Sequence, residues 1–177
     1  PGVLPPEICP VCGAGQNKFE IVEEEKIEYA SEEEEKFVII GNNVAGITAA
    51  EAIRKRNSHC KITIVTREKA RSYCRPALSD FIYEELDDHE LYLRESKWYE
   101  KYKVDIAENC EITKIDKEKK VIHSKDKDFP YDKLILANGS SSFVPPIENV
   151  RLEGIFSFRS LEDAQNIKNY SSGKKNA

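Results

Sequence analysis

Between residues 37 and 54 the hydrophobic period of the chain changes. Phe37, Val38, Ile39 and Ile40 form an unbroken apolar run, the pattern of a short buried strand. Gly41 breaks it. From Ile47 the period lengthens: Ile47, Ala50 and Ile53 share one helical face, and Glu51, Arg54 and Lys55 turn away from it. Asn57 to His59 punctuates the helix end, with His59 read as a surface turn residue. The run from Lys61 to Thr66 is alternating and β-branched, and its place directly after the helix predicts a parallel strand–helix–strand crossover. Pro76 suits the first turn of a helix that continues through Phe81, Ile82 and Leu86. Lys97 to Glu100 ends another helical piece. Val104 to Ala107, Cys110 to Ile115 and Lys120 to Ser124 read as three short strands joined by charged turns. Tyr131 to Gly139 is a buried strand ending in small residues, followed by a stiff exit loop to Pro146. The pattern is that of an α/β fold.

The turn after the first strand carries the candidate chemistry. Gly41, Asn43 and Gly46 occupy the three glycine places of a G-x-G-x-x-G turn, with Asn42 and Ala45 between them. Such a turn brings a diphosphate close to free N–H groups at a helix start, where the helix dipole also favours negative charge. A residue without a side chain at position 46 lets helix and strand pack closely. Asn43 departs from the fingerprint: asparagine tolerates positive φ, and its side chain would crowd or hydrogen-bond the incoming phosphate. A ribose-binding carboxylate belongs at the end of the second strand, about 20 residues past the glycines. Arg67 and Glu68 stand there, and Glu68 is the candidate. An α/β turn that binds nothing stays open on these residues alone.

Composition narrows the classes. The chain has 177 residues, 33% of them charged and 40% hydrophobic, with a net charge of −5 and no basic patch, which argues against a nucleic-acid partner. No apolar run approaches the ~20 residues of a membrane span, and no signal peptide is visible. The five scattered cysteines suit a reducing, cytoplasmic setting. Methionine is absent even from position 1, which reads as a piece of a longer chain or a sequence from which modified methionines have dropped out. Around His59, His89 and His123 no nucleophile or carboxylate pattern assembles, so no hydrolytic triad is expected.

Residues 1–26 form a separate small unit, residues 27–36 an acidic, solvated linker, and residues 37–177 the main domain. Cys9 and Cys12, closed by Gly13, have the spacing of a knuckle whose two thiolates face one tetrahedral metal. Four thiolates are needed for a Cys₄ site, and Cys60, Cys74 and Cys110 show no paired spacing. Two free thiols, or a knuckle whose partner lies upstream of Pro1, remain open, as do iron and zinc. The words around the knuckle, Leu4-Pro5 and then Cys9 to Glu20, resemble the C-terminal half of rubredoxin. That resemblance implies an iron half-site at Cys9 and Cys12.

Ser72 to Asp80 resembles the Arg-Pro-x-Leu-Ser segment of the ferredoxin- and rubredoxin-reductase branch of FAD-dependent pyridine nucleotide-disulfide oxidoreductases. The resemblance implies that Arg75 and Pro76 lie beside the flavin and its phosphates. The branch often has lysine where this chain has Asp80. Cys74 lacks the second cysteine of disulfide reductases and sits two positions before the place of the single-cysteine relatives, which here is Pro76; it is read as a packing residue. Tyr131 to Gly139 resembles the Tyr-Asp-x-Leu-x-x-Ala-Thr-Gly segment of these flavoproteins, with Asn138 for threonine. Ala137 and Gly139 are then cofactor contacts, and Ile112 a main-chain contact to adenine. Gly154 to Ala164 resembles the family's passage into a helix, which the resemblance places here at about Leu161 to Tyr170.

The resemblance is thus to rubredoxin-fused FAD oxidoreductases and the amino-terminal region of nitrite reductase large subunits. It implies a partial Rossmann-like FAD-binding domain with a three-stranded β insertion, preceded by half a rubredoxin-like knuckle. It implies electron flow from NAD(P)H through FAD to a rubredoxin-type iron centre or a similar one-electron acceptor protein. The NAD-binding domain would lie outside this chain, which alone would turn over poorly. A homodimer is left open. Two other classes stand beside this one: a redox-inactive dinucleotide-binding module, consistent with Asn43 and Asn138, and a zinc-ribbon interaction module built on Cys9 and Cys12.

Overall fold

A computed structural model of the chain describes residues 7–8, 15–18 and 31–173. Cys9, Cys12 and residues 27–30 of the acidic linker fall outside them. Strand β1 (Lys36–Ile40) is followed by helix α1 (Val44–Arg56) and strand β2 (Lys61–Val65). β1 and β2 pair in parallel, Phe37 opposite Ile62 and Ile40 opposite Val65. Short helices α2 (Leu78–Tyr83), α3 (Asp88–Leu91) and α4 (Ser96–Lys101) lead to strand β3 (Val104–Ala107), which lies parallel to β2. Strands β4 (Ile112–Asp116), β5 (Val121–Ser124) and β6 (Asp128–Pro130) form a separate antiparallel sheet. The chain then returns as β7 (Lys133–Leu136) on the other side of β1, giving a parallel sheet in the order β3-β2-β1-β7. Helix α5 (Leu161–Ser171) closes the described chain.

The unbroken apolar run of β1 has a direct cause: both faces of the sheet are covered. Ile39 packs with Ile47 and Ala50 of α1, Ile62 and Ile64 of β2, and Tyr99 of α4. Val38, pointing the other way, packs with Val65, Ile122, Phe129 and Tyr131 against the small antiparallel sheet. Ile39, Ile62 and Ile64 are fully buried, each worth about 1.5–3 kcal/mol in area removed from water. A third cluster joins Tyr73, Leu78 and Leu91 to Ala164 of α5, so the last helix is packed onto the segment between β2 and β3.

Three expectations are corrected. Val104–Ala107 is not part of a three-stranded insertion: its pairing partner is β2, and Val104 is buried in the α1-side cluster. The antiparallel sheet takes Asp128–Pro130 as its third strand instead, a segment too short and too proline-bound to carry a strand pattern. Helix α2 ends at Tyr83 rather than running to Leu86, because Glu84 turns extended at φ −136°, ψ 176°. Leu86 still packs against the third cluster, so its apolar character reports burial and not helix. Helix α1 begins at Val44, three residues before its apolar face shows, because Asn43 caps it.

Residues 31–36 are mostly exposed, yet they are fastened to the domain. Asn57, 4% exposed, donates from Nδ2 to the Glu33 carbonyl at 2.9 Å. Its Oδ1 accepts from His59 N and Cys60 N, both at 2.9 Å. One buried amide thus ends α1, starts β2 and pins the entering chain. Among the described residues no helix is long and apolar enough to cross a membrane. Replacing Asn57 by Ala leaves the buried Cys60 N–H without its acceptor, and it should cost about 1–3 kcal/mol of stability; urea unfolding followed by circular dichroism measures this.

Candidate functional site

The sheet order reverses at β1: the chain leaves β1 for β2 on one side and returns as β7 on the other. In open parallel sheets, ligand crevices form at the carboxyl ends of the strands at such a switch point. A cleft of about 640 Å³ lies there, lined among others by Gly41, Asn42, Asn43, Glu68, Arg75, Ile112 and Gly139. Seven of the sequence candidates are therefore brought together. Ala45, Gly46, Pro76 and Ala137 are not on the lining. Cys74 is not on it either.

Backbone contact forces the glycines. Gly41 sits at φ +115°, and a Cβ there would come 2.2 Å from the Ala137 carbonyl oxygen. A Cβ on Gly46 would come 2.0 Å from the Gly41 carbonyl oxygen. No side chain fits at either place without moving backbone. Ala137 N donates to the Ile40 carbonyl at 2.9 Å and Gly41 N to the Val65 carbonyl at 2.8 Å, which continues the sheet past both strand ends. The left-handed backbone belongs to Gly41 and not to position 43: Asn43 is extended, at φ −130°, ψ −175°. Its Oδ1 accepts from Ala45 N at 3.0 Å and Gly46 N at 3.2 Å, and its Nδ2 donates to the Ala137 carbonyl.

The charged side of the cleft is a linked network. Thr66, at the end of β2, accepts from Glu68 N with its hydroxyl at 3.2 Å and so turns Glu68 inward. Tyr73 donates its hydroxyl proton to Glu68 Oε2 at 2.6 Å, and Arg75 Nη2 donates to Oε1 at 3.3 Å. Arg75 Nη1 reaches the Arg159 carbonyl at 2.6 Å, and Arg159 Nε donates to the Ser140 carbonyl at 2.7 Å. Leu161 N, in the first turn of α5, donates to the Tyr73 hydroxyl at 3.1 Å. Burial, then the bond to Glu68, pushes the Tyr73 phenol up from 10.0 to about 12.

Sequence reasoning passed over Arg159 and Ser140 to Ser142, which also line the cleft. They come from the long exposed return between β7 and α5, where no periodicity marks them. The Ser160 capping box at the start of α5 was the available signal: Asp163 takes the N–H groups of Arg159 and Ser160, and Ser160 Oγ takes that of Asp163. Tyr73, two residues before Arg75, was also missed.

A cleft at the switch point, walled by a tight glycine turn, a cation and a strand-end carboxylate, fits a dinucleotide in size and donor set. A family model for the pyridine nucleotide-disulphide oxidoreductases matches residues 35–177.

The chain belongs to the pyridine nucleotide-disulphide oxidoreductase family.

This is a family of flavin-dependent NAD(P)H oxidoreductases that includes rubredoxin and ferredoxin reductases. The chain is 35% identical over 133 residues to the rubredoxin-NAD(+) reductase of Pseudomonas putida, covering 74% of this chain and 34% of that protein. It is 34% identical over 142 residues to the NADH oxidase of Methanocaldococcus jannaschii, covering 75% and 31%. The solved NADH:rubredoxin oxidoreductase of Clostridium acetobutylicum superposes with a TM-score of 0.70 at 30% identity, over 81% of this chain and 37% of that one. The chain thus spans about a third of the length of these relatives. Among the described residues, no group of three or more His, Cys, Asp and Glu side chains is placed to hold a metal.

Tyr73 yields a pH test. Its folded pKa lies above its unfolded value, so its contribution to stability is full below pH 10.0 and is lost as pH rises through about 12. Unfolding free energy measured from pH 9 to 12 should fall less steeply in Tyr73→Phe than in the parent.

Proposed function

We propose that this chain supplies the FAD-holding part of an NAD(P)H oxidoreductase that delivers electrons to a rubredoxin-type iron centre or a similar one-electron acceptor. The observation that carries the reading is the meeting of Gly41 to Asn43, Glu68, Arg75, Ile112 and Gly139 in one cleft at the switch point of the sheet. When bound, FAD supplies the exchange between two-electron donors and one-electron acceptors. The chain's own residues bind and orient. The first-turn N–H groups of α1 and the Arg75 guanidinium would meet the diphosphate. Glu68, acceptor-only when ionised, would take ribose hydroxyls with the lone pairs that Tyr73 and Arg75 leave free. Ile112 would meet the adenine, and the small residues Ala137 and Gly139 let the chain pass close to the cofactor. In this reading the protein positions the cofactor and does not itself supply acid–base chemistry.

The names of the relatives support the acceptor, and so do the rubredoxin-like words around Cys9 and Cys12. These two cysteines would give two of the four thiolates of an iron site, the other two coming from elsewhere. NAD(P)H would be held outside this chain, and the acceptor would be a fused or separate electron-transfer protein.

The test uses the full-length protein. It should purify yellow with about one FAD per chain, and Arg75→Ala should weaken FAD binding at least about tenfold, since hydrogen bonds to charged groups contribute roughly 1.5–3 kcal/mol. A folded protein that takes up no FAD would contradict the reading. Cys9→Ser should remove bound iron while NAD(P)H-dependent reduction of a dye is retained. Zinc in place of iron in the parent would favour the interaction module for the amino-terminal unit.

A further inference from the structure

The side chain of Asn43 does what a bound phosphate would do. Its Oδ1 accepts from two of the first-turn N–H groups of α1, those of Ala45 and Gly46. Its Nδ2 donates to the carbonyl of Ala137, at the end of β7. The amide orientation is fixed by its partners: two donors stand on one side and an acceptor on the other, so the reversed amide would lose all three bonds. The residue lines the cleft, and its side-chain amide links the start of α1 to the end of β7. Where a glycine would leave those N–H groups open, this chain carries its own acceptor on them. A phosphate oxygen and Asn43 Oδ1 cannot both take the N–H groups of Ala45 and Gly46 in line.

We propose that Asn43 is a tethered competitor for the diphosphate, so that cofactor binding at this turn requires the Asn43 amide to leave the helix start and the Ala137 carbonyl. The proposal rests on reading the cleft as a dinucleotide site. Its consequence is a cofactor affinity set below what the turn would otherwise give, with a slow step at the exchange. The backbone at position 43 is extended, so it requires no glycine and accepts any side chain. That separates the competitor role from a conformational one: removing the amide relieves no strain and creates none.

The measurement is titration of flavin-free full-length protein with FAD, ADP and adenosine, followed by flavin fluorescence and calorimetry. Asn43→Gly should bind FAD and ADP about tenfold more tightly than the parent, a difference of about 1.4 kcal/mol, and associate faster. Adenosine, which has no diphosphate, should bind both proteins equally. The same variant should melt lower without ligand, because a helix cap and the link to β7 are gone. Asn43→Ala provides a second variant without a capping atom and should move in the same direction. Asn43→Asp keeps the cap but adds negative charge and loses the donor to Ala137, and it should bind FAD at least tenfold more weakly. Parent and Asn43→Gly proteins with equal FAD affinity, or a weaker variant, would overturn the competitor role while leaving the dinucleotide site standing. Failure of the folded parent to bind FAD or ADP would overturn the site and the competitor together.

Discussion

At the carboxyl end of β1 three backbones touch with no room for a Cβ between them. The turn at Gly41 lies against the Ala137 carbonyl of β7, and the α1 backbone at Gly46 lies against the Gly41 carbonyl. The cleft depends on this contact. It fixes how far β7 stands from the start of α1, and so how wide the crevice opens. It aims the α1 N-terminus, with its dipole and its N–H groups, along the switch point of the sheet. The buried isoleucines of β1 and β2 hold the strands in register beneath it, but they would do so equally well for a turn that binds nothing. The side-chain-free contact is what shapes the crevice above them.

A second constraint brings distant segments to the rim. Tyr73, Arg75 and Glu68 belong to the stretch after β2, while Arg159 and Leu161 lie over eighty residues further on, yet they share one hydrogen-bond network. The ion pair between Arg75 and Glu68 is about one-third exposed on each side, so its Coulombic contribution is small. Its role is orientation: Arg75 is held by a carbonyl on one nitrogen and a carboxylate on another. The buried Tyr73 hydroxyl joins that arrangement to the start of α5, and the packing of Ala164 against Tyr73 and Leu78 holds the helix there.

Much of this was legible in the sequence because local pattern and local function coincide. The apolar run of β1, the glycine turn and the β-branched run of β2 each lie within a few residues of the chemistry they position. Arg75 and Gly139 were legible through resemblance, since neither carries a periodic signal. The misplaced strand at Val104–Ala107 shows where pattern stops: its alternation is compatible with either sheet, and only the three-dimensional partner, β2, decides. Arg159 sits in an irregular segment whose position depends on long-range hydrogen bonds that no spacing reveals. Asn43 was visible as a departure from the glycine pattern, but its partners and its extended backbone were not. The cysteine knuckle lies outside the described residues, so its reading rests on spacing and resemblance alone.

On the proposed reading, the turn between β1 and α1, the segment after β2 and the exit from β7 wall one cofactor cleft. Amide hydrogen exchange of the full-length protein, read by mass spectrometry with and without FAD, tests it most directly. Protection on adding FAD should concentrate in three separated stretches, residues 41–47, 66–76 and 137–142. Protection confined to other parts of the chain, or to one of these stretches alone, would contradict the account.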